Sequence, residues 1–149
     1  MPAGPPVDLA AVVALARTAR AAAYAPYSGY AVGAAVATDD GRRFGGANVE
    51  NASYGATVCA ERVAVWSAVA AGARRLAAVA VVTEGGGAPC GLCRQVLAEF
   101  GPADLVVALA APEGPWETTT LGELLPRAFS AADLGRAGAE GAASDGAGG

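Results

Sequence analysis

The chain has 149 residues but no histidine, only three cysteines and a single methionine. Without histidine its soft metal donors are the three thiols. A structural zinc site takes four protein ligands, so this chain falls one donor short of one. Charge is scarce as well: 16% of residues are charged and the net charge is −4, which argues against the basic stripe that nucleic-acid binding needs. No apolar run reaches the roughly 18–20 residues of a membrane-spanning helix. Met1 to Pro6 lacks the charged segment ahead of an apolar stretch that marks a secretory leader. The odd cysteine count, with two cysteines three residues apart, suits metal ligation in a reducing compartment better than disulfides. A cytoplasmic protein, with neither membrane nor nucleic acid as partner, is the expectation.

What the chain has in quantity is small apolar residues. Some 54% of it is hydrophobic, much of that alanine, so its core should rely on close backbone approach. The length fits one domain. Residues 1–134 are expected to form it, and 135–149, rich in glycine and alanine, to be a flexible tail.

Asp8 can cap a first helix with the stripe Leu9, Val12, Val13, Ala16, Ala19 and Ala23, ending near Tyr24 because Pro26 follows. Tyr27-Ser28-Gly29 reads as a turn. Tyr30 to Thr38 reads as a strand joined through Asp39-Asp40-Gly41 to a second, Arg42 to Val49, with a bulge at Gly45-Gly46. A helix follows over Val58 to Ala71, its apolar positions Val63, Val65, Trp66 and Val69, stopped by Gly72. Leu76 to Thr83 has the continuous apolar character of a buried strand. Pro89 opens a helix over Gly91 to Phe100; Asp104 to Ala110 is a strand, Trp116 to Thr120 a short edge strand, and Leu121 to Leu125 a short helix. A hairpin followed by helix–strand–helix–strand implies a mixed sheet with helices on its faces.

All three cysteines lie in two short segments, Cys59-Ala60-Glu61 and Pro89-Cys90-Gly91-Leu92-Cys93, each at an expected helix start. Free N–H groups and the positive dipole end there favour thiolate over thiol. Cys90 and Cys93, at i and i+3, can reach one ion, and Cys59 supplies a third ligand from the facing helix. Three thiolates leave a fourth position open, as catalytic zinc requires. Glu61 is too close in sequence to Cys59 to ligate comfortably beside it, but is placed to handle a proton. Arg62 and Arg94, each directly after a site residue, are candidates to offset the thiolate charge through hydrogen bonds to sulfur. A redox pair or a structural zinc is the competing reading, but neither explains Cys-Ala-Glu together with Cys-x-x-Cys.

The zinc segments resemble those of the zinc-dependent nucleoside and nucleobase deaminases. Tyr24-Ala25-Pro26-Tyr27-Ser28, Val32-Gly33-Ala34-Ala35, Asn48-Val49-Glu50-Asn51-Ala52-Ser53-Tyr54-Gly55, Cys59-Ala60-Glu61-Arg62, Cys90-Gly91-Leu92-Cys93-Arg94-Gln95 and Leu124-Leu125-Pro126-Arg127-Ala128-Phe129 fall in the order of the small, homotetrameric cytidine deaminases. The resemblance runs from about Ala11 to Leu134. It implies an α/β protein of three layers, α/β/α, with a mixed, roughly five-stranded sheet. It further implies one Zn²⁺ per subunit on Cys59, Cys90 and Cys93, with Glu61 as the proton shuttle. Asn48 and Glu50 would bind the ribose 3′-hydroxyl, and the backbone of Ala60 and Pro89 would meet the pyrimidine edge. Phe129 would reach a neighbouring subunit's site in a homotetramer, and Tyr30 and Tyr54 are further candidates for substrate contact. Two positions depart from the family pattern: Tyr30 replaces a phenylalanine, and Ala88 replaces a common serine.

The function implied is hydrolytic deamination of cytidine and deoxycytidine, small nucleosides, with release of ammonia. Two rivals stand beside it: a deaminase for another cytosine nucleoside such as blasticidin S, and a zinc-stabilised module without catalysis. The Asn48 and Glu50 pair speaks for a ribose.

Overall fold

The structure is a computed structural model that describes residues 6–135. The expected tail over 135–149 therefore lies, but for Gly135, outside the described residues. The elements, in order, are α1 (Leu9–Arg20), β1 (Gly33–Thr38), β2 (Arg43–Ala47), α2 (Ala60–Ala70), β3 (Leu76–Val82), α3 (Gly91–Phe100), β4 (Val106–Ala110), β5 (Trp116–Thr120) and α4 (Leu121–Leu124), with short 3₁₀ turns at Tyr54–Ala56 and Ala131–Leu134. Among the described residues no helix is long and apolar enough to cross a membrane.

Five strands form one mixed sheet in the order β2-β1-β3-β4-β5. Only β3 and β4 run parallel, with α3 as their crossover; the other neighbours are antiparallel. Side-chain alternation divides the core in two. Ala34, Val36, Val79, Val81 and Val107 pack under α2, α3 and α4, while Ala35, Ala37, Ala78, Ala80 and Ala108 pack under α1. This is the expected three-layer α/β/α architecture. Strand β3 is buried along nearly its whole length because helices cover both of its faces.

Four features differ from expectation, each for a local reason. Helix α1 is capped by Asp8, whose carboxylate accepts from Ala11 N–H, but stops at Arg20. The amides of Ala21, Ala22 and Ala23 bond three residues back, and Tyr24 N–H is taken by Asn48 O. Strand β1 starts at Gly33 rather than Tyr30, because the Asn48 side chain takes the ladder's place: Oδ1 accepts from Val32 N–H and Nδ2 donates to Tyr30 O. Gly45 and Gly46 form no bulge and sit in regular register opposite Ala35 and Ala34. Gly46 provides clearance, since a Cβ there would stand 2.6 Å from both Ala60 O and Ala64 N of α2. Finally, α2 buries Ala60, Glu61, Ala64, Val65 and Ala68 instead of its large residues, leaving Trp66 half exposed. Where the helix lies closest to the glycine-bearing strand it carries the alanine stripe Ala60, Ala64 and Ala68.

Candidate metal centre and adjoining cleft

Cys59, expected in the first turn of its helix, is the N-cap of α2, and Cys90 is the N-cap of α3, which spans Gly91–Phe100 as expected. Both have extended backbone, and neither side chain bonds back to its own helix. Each carbonyl accepts a first-turn amide, Arg62 N–H on Cys59 O and Arg94 N–H on Cys90 O. The two sulfurs are thereby left facing one another across the gap between helices. Cys93, one turn into α3, points into the same gap and is fully buried.

The Cys59 and Cys90 Sγ atoms are 3.9 Å apart, and all three sulfurs lie within 4.8 Å of one another. A disulfide would bring two of them to about 2.05 Å. Sulfurs about 2.3 Å from one tetrahedral zinc stand about 3.8 Å from each other, so the observed spacing fits a shared ion and not a bridge. Electrostatics point the same way. The Cys93 thiol donates to Cys59 and, with Arg62 and Cys90, holds the Cys59 pKa down at about 5. That same hydrogen bond to Cys59, together with burial, pushes Cys93 far up. The cluster accommodates one anion readily, and three only if a cation of higher charge joins them.

Glu61 is 4% exposed on the inner face of α2. Burial raises its carboxyl above the usual range, with the Cys59 charge acting in the same direction. Of the two arginines expected to bond sulfur, only Arg62 does: its Nη2 lies 3.5 Å from Cys59 Sγ, with the guanidinium stacked 5.9 Å from the Trp66 ring. Arg94 turns away. Its Nε donates to Pro89 O at 2.7 Å and its Nη1 to Leu124 O at 2.6 Å, fastening the loop before α3 to α4. From the start of α3 its long side chain points back toward the loop that precedes the helix.

From the sulfurs a cavity of about 260 Å³ opens outward. Cys59, Cys90 and Glu61 line its inner end; Asn48, Glu50 and Tyr30 line its outer end. Tyr30 is half exposed at the rim, so its hydroxyl needs no buried partner. Ala60 and Pro89 are fully buried behind the wall and do not line the cavity with side chains. Tyr54 lies in a neighbouring cleft with Tyr27, the rings 5.9 Å apart edge to face. Phe129 is 58% exposed and borders a separate groove beside α4, outside this subunit's cavity; Gln95 Nε2 holds its carbonyl at 2.7 Å.

Thr83 and Ser28 are among the lining residues that were not anticipated. Thr83 Oγ1 accepts from Gly87 N–H at 2.7 Å and so ties down the loop before Pro89. Its signal, a buried threonine closing an apolar strand before a glycine run, is weak in sequence. Ser28 lines the cavity beside Glu50, and in the sequence it reads as no more than a turn residue.

Residues 7–109 match the family described as the cytidine and deoxycytidylate deaminase zinc-binding region. The chain is 47% identical over 130 residues to a cytidine deaminase of Sporosarcina psychrophila, covering 86% of this chain and 96% of that one. It is 46% identical over 134 residues to one from Mycobacterium tuberculosis, covering 89% and 97%. A crystal structure of cytidine deaminase from Burkholderia pseudomallei superposes with a TM-score of 0.78 at 52% identity, over 83% of this chain and all of that one.

Proposed function

This chain belongs to the cytidine and deoxycytidylate deaminase family, and on that premise we propose that it hydrolyses cytidine and deoxycytidine to uridine and deoxyuridine with release of ammonia. The observation that carries the reading is one cavity with a three-sulfur cluster and a buried carboxyl at its inner end and an amide–carboxylate pair at its outer end. A zinc ion held by Cys59, Cys90 and Cys93 would supply the Lewis acidity that lets water give up a proton near neutral pH.

Glu61 takes that proton and delivers it to N3 of the pyrimidine. Burial moves its carboxyl above the usual carboxylate range, the direction that suits a general acid–base at neutral pH. Protonation at N3 draws electrons from C4, where the water oxygen adds. A second transfer through Glu61 to the exocyclic nitrogen lets ammonia leave. Backbone groups at Ala60 and Pro89 meet the pyrimidine edge, with Pro89 O steadied by Arg94. Arg62 offsets the thiolate charge at Cys59. Asn48 and Glu50 bind the ribose 3′-hydroxyl, Tyr30 borders the sugar, and Tyr54 flanks the rim.

A homotetramer belongs to this proposal, because Phe129 stands off its own cavity and is available to complete a neighbour's. Exposed Leu92 and Tyr54 beside the site favour such packing. Three unbridged cysteines suit a cytoplasmic location.

The test is Glu61→Gln, read by the loss of cytidine absorbance and by zinc per chain. Turnover should fall by about 10²–10⁴-fold or more with zinc retained. Unchanged turnover would remove Glu61 from the mechanism.

A further inference from the structure

Glu50 is gripped from behind. The turn at Tyr27 and Ser28 aims both of its backbone N–H groups at Glu50 Oε1, at 2.8 and 3.1 Å, and the Ser28 hydroxyl bonds to Oε2. That hydroxyl has a fixed direction. Ser28 Oγ already accepts from Tyr30 N–H at 3.0 Å, and a carboxylate has no proton to offer. The Ser28 proton must therefore point at Glu50. The two segments are also stitched by backbone, with Tyr24 N–H on Asn48 O and Glu50 N–H on Tyr24 O.

Counting acceptor positions gives the consequence. A carboxylate offers about four lone-pair sites, and the turn occupies both on Oε1 and one on Oε2. A single site on Oε2 is left for a ligand. Asn48 is similarly committed: Oδ1 accepts from Val32 N–H at 2.9 Å and Nδ2 donates to Tyr30 O at 2.8 Å, which fixes the amide's orientation and leaves one N–H to donate. Glu50 Oε2 thus keeps one acceptor site and Asn48 Nδ2 one N–H, and an acceptor beside a donor is the complement of a hydroxyl.

We infer that Ser28 is a positioning residue for the deamination, which holds the Glu50 carboxylate in the one orientation that reads a sugar hydroxyl. It acts through Glu50, and the inference rests on the proposed ribose role of Glu50. The same three donors hold Glu50 below the usual carboxylate range, so it is fully ionised at neutral pH. A serine that merely capped the turn would leave the cavity's preference among sugars untouched.

The experiment compares wild type with Ser28→Ala, Ser28→Thr and Glu50→Ala on cytidine and on 3′-deoxycytidine. Folding and zinc content are followed alongside. Ser28→Ala should raise KM for cytidine by about tenfold, in keeping with loss of a hydrogen bond to a charged group, with kcat within about twofold. On 3′-deoxycytidine the same change should alter KM by no more than about twofold, because the group that Glu50 reads is gone. Ser28→Thr keeps the hydroxyl and should restore most of the loss. Ser28→Cys, nearly the same shape with a weak donor, gives the comparison if Ser28→Ala does not fold. Equal KM increases on both nucleosides would overturn the inference and make Ser28 structural. A normal KM in Ser28→Ala beside a raised KM in Glu50→Ala would overturn it while sparing the ribose reading. A normal KM in Glu50→Ala would overturn both.

Discussion

The two ends of the cavity are built in opposite ways. At the inner end the chemistry is mounted on helix starts: Cys59 and Cys90 as N-caps, with Glu61 and Cys93 buried. Backbone geometry fixes these atoms, and the side chains that would otherwise crowd them are glycine and alanine. At the outer end the recognition groups stand on loop, and hydrogen bonds from other loops hold them: Val32 and Tyr30 on Asn48, Tyr27 and Ser28 on Glu50. Position at the inner end comes from packing, which yields little before it fails. At the outer end it comes from separable hydrogen bonds, each of which can be lost alone. Mutations should therefore act on all functions together at one end and piecemeal at the other.

The sharpest way to break that comparison is Gly46→Ala. The added Cβ would meet Ala60 O and Ala64 N at 2.6 Å, and both are backbone atoms that cannot swing aside. Helix α2 must shift, carrying Cys59 and Glu61 with it. Overpacking of this kind costs about 3 kcal/mol, and zinc stoichiometry and turnover should fall together with Tm. A variant of normal stability that had lost only activity would show that the inner end is not governed by packing.

Asn48→Ala tests the outer end. It strands the buried Val32 N–H and removes a donor from Tyr30 O, at a cost of about 1–3 kcal/mol for the unsatisfied group. KM for cytidine should rise about tenfold or more, while zinc content stays at the wild-type value because α2 and α3 are untouched. Loss of zinc in this variant would join the two ends into one unit and end the distinction. Urea unfolding and metal analysis on the same preparation decide it.

The contrast also explains what the sequence could disclose. The inner end was legible because its chemistry needs rare residues at fixed spacing: three thiols and a carboxyl in Cys-Ala-Glu and Cys-x-x-Cys. The sheet and its helices were legible from apolar runs and turn residues, as at β3 and Asp39-Asp40-Gly41. Gly45-Gly46 suggests a bulge in sequence because clearance for a helix leaves no local mark; at Gly46 only the partner α2 reveals it. Trp66 was assigned to the apolar face because periodicity ranks by hydrophobicity, whereas close approach selects by size. Arg94 sits next to Cys93 in sequence yet serves two carbonyls, since adjacency does not give direction. Ser28 was passed over because a serine in a turn is ordinary, and its partner Glu50 lies 22 residues away.

The smallest effect is expected where neither design applies. Among the described residues Arg127 is the only non-glycine with positive φ, at 56°. It falls on the segment between α4 and Phe129, outside both ends of the cavity. A side chain in that left-handed conformation costs roughly 1–2 kcal/mol, whereas glycine there costs the unfolded chain's extra freedom, roughly 0.4–1 kcal/mol. The first term wins by a small margin. Arg127→Gly should therefore stabilise the protein by about 0.5–1 kcal/mol, a rise in Tm of roughly 1–4 °C for a chain of this size. Calorimetry at one protein concentration reads it directly. A fall in Tm would mean that the Arg127 side chain contributes more than its backbone costs, and that the segment carrying Phe129 is held by contacts of its own.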